Sequence, residues 1–202
     1  MTNDNSRLKT IFLMVDTSGS MDGAGIGAVN DTVANIISLI GQQQNVHPER
    51  TLTVEALLFG DTARWLYPAA KPIEEFVWKD LDSGGLTAMG AAFGLLRERV
   101  AANAADHLPP VTVIITDGGP TDEYEQNLAA LLAEPAFADT IRLAIAIGDD
   151  ADYDVLQQFT GKNDRIHTTN RIDIFANDLE NALAGDGMPH ADANPDDEEV
   201  EW

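Results

Sequence analysis

With 202 residues, 44% of them apolar, the chain can fill the core of one domain, and without cysteine it excludes disulfide scaffolds, thiolate metal sites and a cysteine nucleophile. Twelve Lys and Arg against 34 Asp and Glu give a formal charge of −22, which argues against a nucleic-acid binder, because such proteins need cations to neutralise phosphates. The same balance argues against docking on an anionic membrane and favours metal cations and basic protein surfaces as partners.

Residues Met1 to Ser6 are polar and lack a basic region followed by an apolar stretch, so no targeting segment is read there. No continuous apolar run reaches the roughly 18 residues that a membrane helix needs. The expectation is a soluble, cytoplasmic protein. Three segments are predicted: a disordered N-terminus over 1–6, one domain over 7–184 and an acidic tail over 185–202. The tail holds seven acids, two prolines and no Lys or Arg from Asp186 onward, and is expected to be disordered.

Within the domain, Thr10 to Val15 is a continuous apolar run ended by Asp16, which suits a strand buried on both faces. A helix follows from about Gly25 to Ile40, with Ile26, Val29, Val33, Ile36, Ile37 and Ile40 at helical spacing and Gly41 as its stop. Thr51 to Phe59 reads as a second strand. Thr62 to Tyr67, reached through the short Gly60-Asp61 turn, reads as an antiparallel edge strand, and Pro68 and Pro72 break the pattern after it. Leu81 to Gly85 is a predicted loop and Thr87 to Ala102 a helix. Val111 to Thr116 is a buried strand ended by Asp117. A helix is predicted over Asp122 to Leu132 with Asp122 as its N-cap. Thr140 to Ile147 (strand), Tyr153 to Phe159 (helix), Ile166 to Thr168 (strand) and Ile172 to Leu183 (helix) complete the domain. Strands alternating with helices imply an α/β fold: an open, doubly wound, mostly parallel sheet with one antiparallel edge strand.

In such a sheet, ligands bind beyond the carboxyl ends of the strands. Asp16-Thr17-Ser18-Gly19-Ser20 follows the first buried strand, and Asp117-Gly118-Gly119-Pro120-Thr121-Asp122 follows the 111–116 strand. Between them a Gly84-Gly85 turn delivers Thr87 to a helix start. Asp16, Ser18, Ser20, Thr87 and Asp117 offer hydroxyl and carboxylate oxygens only, a donor set for Mg²⁺, Mn²⁺ or Ca²⁺ rather than zinc or copper. Ser18 and Ser20 lie two apart in a tight loop, with Gly19 free of a Cβ clash between them.

Asp-Thr-Ser-Gly-Ser at 16–20, Gly-Gly-x-Thr at 84–87 and Thr-Asp-Gly at 116–118 together resemble the metal-ion-dependent adhesion site of von Willebrand factor A domains. The resemblance covers roughly residues 7–184. Val15 to Met21, Ala28-Val29-Asn30 and Thr116 to Asp122 look like the small bacterial A-domain proteins of the TerY type, a group linked to tellurium resistance and chemical-stress response. The resemblance implies that Ser18 and Ser20 bind a metal, Mg²⁺ first among the candidates, directly. It implies that Thr87 binds directly or through water, depending on conformational state, and that Asp16 and Asp117 act largely through water, or one of them directly in the closed state. It also implies one open coordination position, filled by an Asp or Glu of a protein partner. Neutral hydroxyls leave the cation's charge incompletely neutralised, so it attracts a carboxylate from outside. Neighbouring kinases or phosphatases are implied as partners of that type.

Other candidates weigh less. Asp22, Asp122 and Glu123 are read as caps and field-shaping acids, and Asp149, Asp150, Asp152 and Asp154 as a solvated loop opening a helix. The four histidines, His47, His107, His167 and His190, share no ligand spacing. Met14, Met21 and Met89 read as packing residues, and Trp65 and Trp78 as core or rim. A metal-dependent phosphatase or other hydrolase is the competing function. Against it, position 18 is Ser where a strand-end Asp nucleophile usually has a second Asp two residues on. No Lys or Arg is close in sequence to Asp16 or Asp117, and no Gly-x-x-x-x-Gly-Lys run occurs. The reading is therefore a non-enzymatic, metal-dependent interaction module.

Overall fold

The structure, a computed structural model, describes residues 8–103, 107–148 and 151–185. The acidic tail from Asp186, the N-terminal segment to Arg7, and Asp149 and Asp150 lie outside the described residues. The centre of the molecule is β1 (Leu8–Asp16), whose residues from Lys9 onward are all buried. It pairs in parallel with β2 (Thr51–Phe59) on one side and β5 (His107–Thr116) on the other. Beyond β5 lie β6 (Ile141–Ala146) and β7 (Ile166–Thr168), both parallel. On the far side of β2, the edge is made by two short antiparallel segments, β3 (Ala63–Trp65) and β4 (Lys71–Pro72). The order β3-β2-β1-β5-β6-β7 reverses at β1, because the chain runs outward to β2 and then crosses back to β5. That crossing opens a crevice at the carboxyl ends of β1 and β5.

The strands' period of two sorts their side chains onto two helical layers. Ile11, Leu13 and Val15 face one layer, built by α1 (Ala24–Val46) and α5 (Ile172–Ala184). Phe12 and Met14 face the other, built by α2 (Met89–Ala102), α3 (Glu125–Leu132) and α4 (Tyr153–Thr160). Phe93 of α2 stacks on Phe159 of α4 with ring centroids 5.7 Å apart. Each such buried phenylalanine contributes about 1.5–3 kcal/mol from removal of apolar surface from water.

Several element ends differ from the sequence reading. The first helix passes through Gly41 and ends at Val46. A glycine inside a helix costs about 1 kcal/mol relative to alanine. Here Gln44 offsets that cost by closing the turn into β2, donating to the Arg50 carbonyl at 2.8 Å and accepting from the Leu52 amide at 2.7 Å. By length and composition α1 is long and apolar enough to cross a membrane, although Asn and Ser residues interrupt its apolar run. Its Val29, Val33, Ile36 and Ile40 are buried in the sheet's core. Pro72 does not end the edge; it pairs with Thr53, an edge position where a missing N–H is tolerated. β5 starts at His107 and takes in Pro109 and Pro110, opposite a register shift between Lys9 and Ile11.

Buried charge fixes two further joints. Lys9, fully buried, donates from Nζ to the carbonyls of Ala182 and Gly185, each at 2.6 Å, and so caps the negative end of α5. Glu55, buried on β2, accepts from Arg99 Nη1 at 2.5 Å, and the Arg99 guanidinium lies 4.5 Å from the centre of the Trp65 ring. Burial pushes the Glu55 carboxyl up, and the Arg99 charge opposes that shift.

His167 packs edge-on against Phe175 and has Nε2 at 3.1 Å from Asp178 Oδ2, without hydrogen-bond geometry. Burial holds its imidazole below the usual 6.5, with Asp178 pulling the other way. The unfolded chain therefore binds the proton more readily. The stability this neutral ring contributes is full above pH 6.5 and is lost as pH falls through the depressed folded value. Denaturant titrations are expected to show stability falling on acidification below pH 6.5, with a shallower fall in His167→Gln; equal slopes would contradict this.

Candidate metal centre

Asp16 is the last residue of β1 and is fully buried. Its Oδ1 accepts from the Ser18 amide at 2.8 Å and its Oδ2 from the Thr116 hydroxyl at 2.5 Å. Both oxygens therefore have a protein donor, and the carboxylate ties the loop after β1 to the end of β5. Burial raises the Asp16 pKa; the bonds from Thr116 and Ser18 oppose this, and the nearby Asp117 charge adds to it.

Ser18 is buried, and its Oγ lies 3.0 Å from Ser20 Oγ. Ser20 Oγ in turn donates to Asp117 Oδ1 at 2.8 Å. Hydroxyl, hydroxyl and carboxylate thus form a continuous row of oxygens across the mouth of the crevice. Four of the five residues singled out in the sequence are joined by these bonds, directly or through Thr116.

Thr87 arrives by another route. Gly84 N donates to the Thr17 carbonyl and Gly19 N to the Gly85 carbonyl, both at 2.9 Å, so the Gly-Gly turn lies directly on the first loop. Gly19 permits this approach, since a Cβ there would sit 3.1 Å from the Gly85 oxygen. Gly85 has φ +81° and a Cβ on it would overlap the Asp61 carboxylate. Asp61 Oδ1 accepts from the Leu86 amide at 2.8 Å and so fixes the turn. Thr87 is buried; its amide donates to Thr121 Oγ1 at 2.9 Å, and its carbonyl accepts from the Thr121 amide at 3.0 Å. Backbone bonds bring it to the crevice; among the described residues no hydrogen bond joins its side chain to the other four.

Asp122 does not cap the helix that follows it. Its two oxygens accept from the amides of Gly90 and Ala91, at 2.8 and 2.9 Å, and so cap α2, whose own N-cap residue Ala88 has no acceptor. The third helix begins later, at Glu125. Asp22 accepts from the Gly23 amide, and Asp152 caps α4 through the Val155 amide at 3.2 Å. The sequence marks Thr116, Asp61 and Thr121 only as parts of a motif, a turn and a loop; their roles at the site were missed because the partners that define them, Asp16, the Leu86 amide and Thr87, are remote in sequence.

Donor chemistry fits a hard divalent cation: Ser18, Ser20, Thr87, Asp16 and Asp117 supply oxygen only. Among the described residues, no three Asp, Glu or His side chains gather as a metal site, so a cation here would depend on hydroxyl ligands.

The von Willebrand factor type A domain profile matches residues 10–182. No curated protein matches the sequence. Among solved structures, proximal thread matrix protein 1 from the mussel byssus is similar with a TM-score of 0.64 at 19% identity, over 88% of this chain and 48% of that one. A further structure of the mussel protein, with a zinc-occupied metal-ion-dependent adhesion motif, is similar with a TM-score of 0.61 at 15% identity, over 90% and 46% of the two chains. The manganese-loaded TRAP protein of Plasmodium vivax aligns with a TM-score of 0.62 at 15% identity, over 84% of this chain and 72% of that one. The chain spans about half the length of the mussel protein it matches. At these identities the likeness shows the fold, and the profile match over most of the length shows the family: the chain belongs to the von Willebrand factor type A domains.

Proposed function

We propose that this domain binds a divalent cation through Ser18, Ser20 and Thr87, with Asp16 and Asp117 orienting and partly neutralising it, and that it uses the cation to hold a protein partner. The observation that carries this is the oxygen row Ser18–Ser20–Asp117, anchored from behind by Asp16 and Thr116. A cation held there would supply Lewis acidity for an outside carboxylate. The chain's own residues do the rest: Asp16 holds the loop, the Gly84-Gly85 turn sets Thr87, and Asp122 fixes the start of α2. Mg²⁺ is the favoured ion, with Mn²⁺ or Ca²⁺ next. The zinc and manganese of the two structural neighbours support a divalent ion in general.

The partner is a protein presenting one Asp or Glu within a largely basic surface. The domain's own acidity repels at long range, but that repulsion is screened beyond about 8 Å at physiological salt, while the metal acts at contact. Basic surroundings speed the encounter and the carboxylate fixes register. A role in bacterial tellurium or chemical-stress response, beside a kinase or phosphatase, is proposed from the motif resemblance at Val15 to Met21 and Thr116 to Asp122.

Binding rather than turnover separates this reading from a hydrolase. Calorimetric titration with Mg²⁺ is expected to give one site, weakened at least tenfold in Ser18→Ala. The purified chain is expected to leave phosphoester substrates intact with Mg²⁺ or Mn²⁺. Turnover that vanishes in Asp117→Ala would establish the hydrolase instead.

A further inference from the structure

Among the described residues, the large apolar side chains that stand exposed are Val46, Val77, Leu86 and Tyr153. Leu86 is 62% exposed and sits between Gly85, bonded to Gly19, and Thr87, one of the five candidate donors. It packs into neither core cluster. Its backbone is nonetheless held on all sides: Asp61 takes its amide, Gly85 and Gly84 are bonded to the 17–19 loop, and the Ala88 amide donates to the Gly60 carbonyl at 2.8 Å. A fold that holds a leucine in water on a rigid turn has spent the ordering entropy before any partner arrives.

Resting on the metal reading above, we infer that Leu86 sets which acidic segments the site accepts: those with an aliphatic side chain within two residues of the metal-bound Asp or Glu. The spacing carries this. Leu86 directly precedes Thr87, with Cα atoms about 3.8 Å apart, so an acidic segment seated beside Thr87 brings its own next residues within reach of the exposed leucine. Charge excludes a second acid in these flanking positions. Asp22, Asp61, Asp117 and Asp122 surround the turn or crevice, and a second acid beside the first would be repelled by them. An aliphatic neighbour instead removes both its own apolar surface and that of Leu86 from water.

Phage-displayed peptides of pattern Gly-Xaa-Xaa-Asp-Xaa-Xaa-Gly, with an Asn-centred library as control, would be panned on the Mg²⁺-loaded domain and eluted with chelator. The expected result is enrichment of Leu, Ile, Val or Met in the positions flanking Asp. Leu86→Ser should lose that preference and bind the selected peptide about tenfold more weakly, with its calorimetric Mg²⁺ affinity and melting temperature unchanged; Leu86→Met should retain the preference. Asp-centred binders with no flanking preference, or the same preference in Leu86→Ser, would overturn the assignment of Leu86 and leave the metal reading standing. Equal chelator-eluted yield from the Asn library would overturn the metal reading itself, and the inference about Leu86 with it.

Discussion

Replacing Asp16 with Asn is expected to weaken Mg²⁺ binding on the order of a hundredfold, the upper range for removing a group that orients metal ligands, while leaving the domain folded. Asn keeps an oxygen to accept the Ser18 amide, and the Thr116 hydroxyl can turn from donating to accepting. Only the charge is lost. Burial raises the Asp16 pKa, so the ionised form is disfavoured in the folded state without a cation. Asp16 therefore contributes stability below its unfolded pKa of 3.8 and loses it as pH rises through the raised folded value. In chelator at neutral pH, Asp16→Asn should melt at the same temperature as the parent or higher. In excess Mg²⁺ the order should reverse, since the parent binds the cation more tightly and gains more stability from it. Asp16→Ala lacks the acceptors as well: the Thr116 hydroxyl can still donate to the Gly118 carbonyl at 3.2 Å, but the Ser18 amide is left unsatisfied at about 1–3 kcal/mol, so this should be the less stable variant in both conditions. Calorimetry and thermal melts of both variants separate charge from scaffold, and undiminished Mg²⁺ affinity in Asp16→Asn would remove Asp16 from the site.

The strands that position this site were legible because their signal is local. Ile11 to Val15, Val113 to Ile115 and Leu143 to Ile145 are apolar at successive positions, and a strand covered by helices on both faces buries every one of them. The loops after β1 and β5 were legible because their donors lie within a few residues of strand ends. The misread elements share a different cause. Asp122 precedes an apolar helical pattern, so the local rule makes it a cap for α3. It serves α2 instead, 32 residues earlier in the chain, because Ala88 cannot cap its own helix. Asp61 reads as a turn residue, and only the folded chain places it under the Leu86 amide. Gly41 reads as a helix stop because the bonds of Gln44 to the next strand are outside any helical rule.

Gly90→Ala is expected to be among the most damaging single-methyl changes in the domain, although glycine inside a helix normally favours replacement. A Cβ on Gly90 would lie 2.7 Å from the Glu123 carbonyl oxygen and 2.8 Å from the Tyr124 Cα. Both are backbone atoms, so no rotamer change relieves the overlap. The 121–124 segment must retreat from α2, and with it go the Asp122 bonds to Gly90 and Ala91. Overpacking costs about 1–3 kcal/mol and a lost cap about 1 kcal/mol more. At roughly 2–4 °C per kcal/mol for a chain of this size, the melting temperature should fall by about 5–15 °C. Gly94, one turn further along α2, supplies the control: a Cβ there meets only the Asn127 side chain at an ordinary 3.8 Å. Gly94→Ala should be neutral or stabilising by about 0.5–1 kcal/mol. The cation site should register the difference too. Thr121 holds Thr87 by two bonds, and the segment that carries Asp117 runs directly into the displaced one. Mg²⁺ affinity measured well below the melting range should therefore drop in Gly90→Ala and hold in Gly94→Ala. Equal melting temperatures in the two variants would show that α2 and the 121–124 segment are not packed as tightly as this contact requires. An intact cation site in a destabilised Gly90→Ala would show that Thr87 and Asp117 are held by the two loops alone.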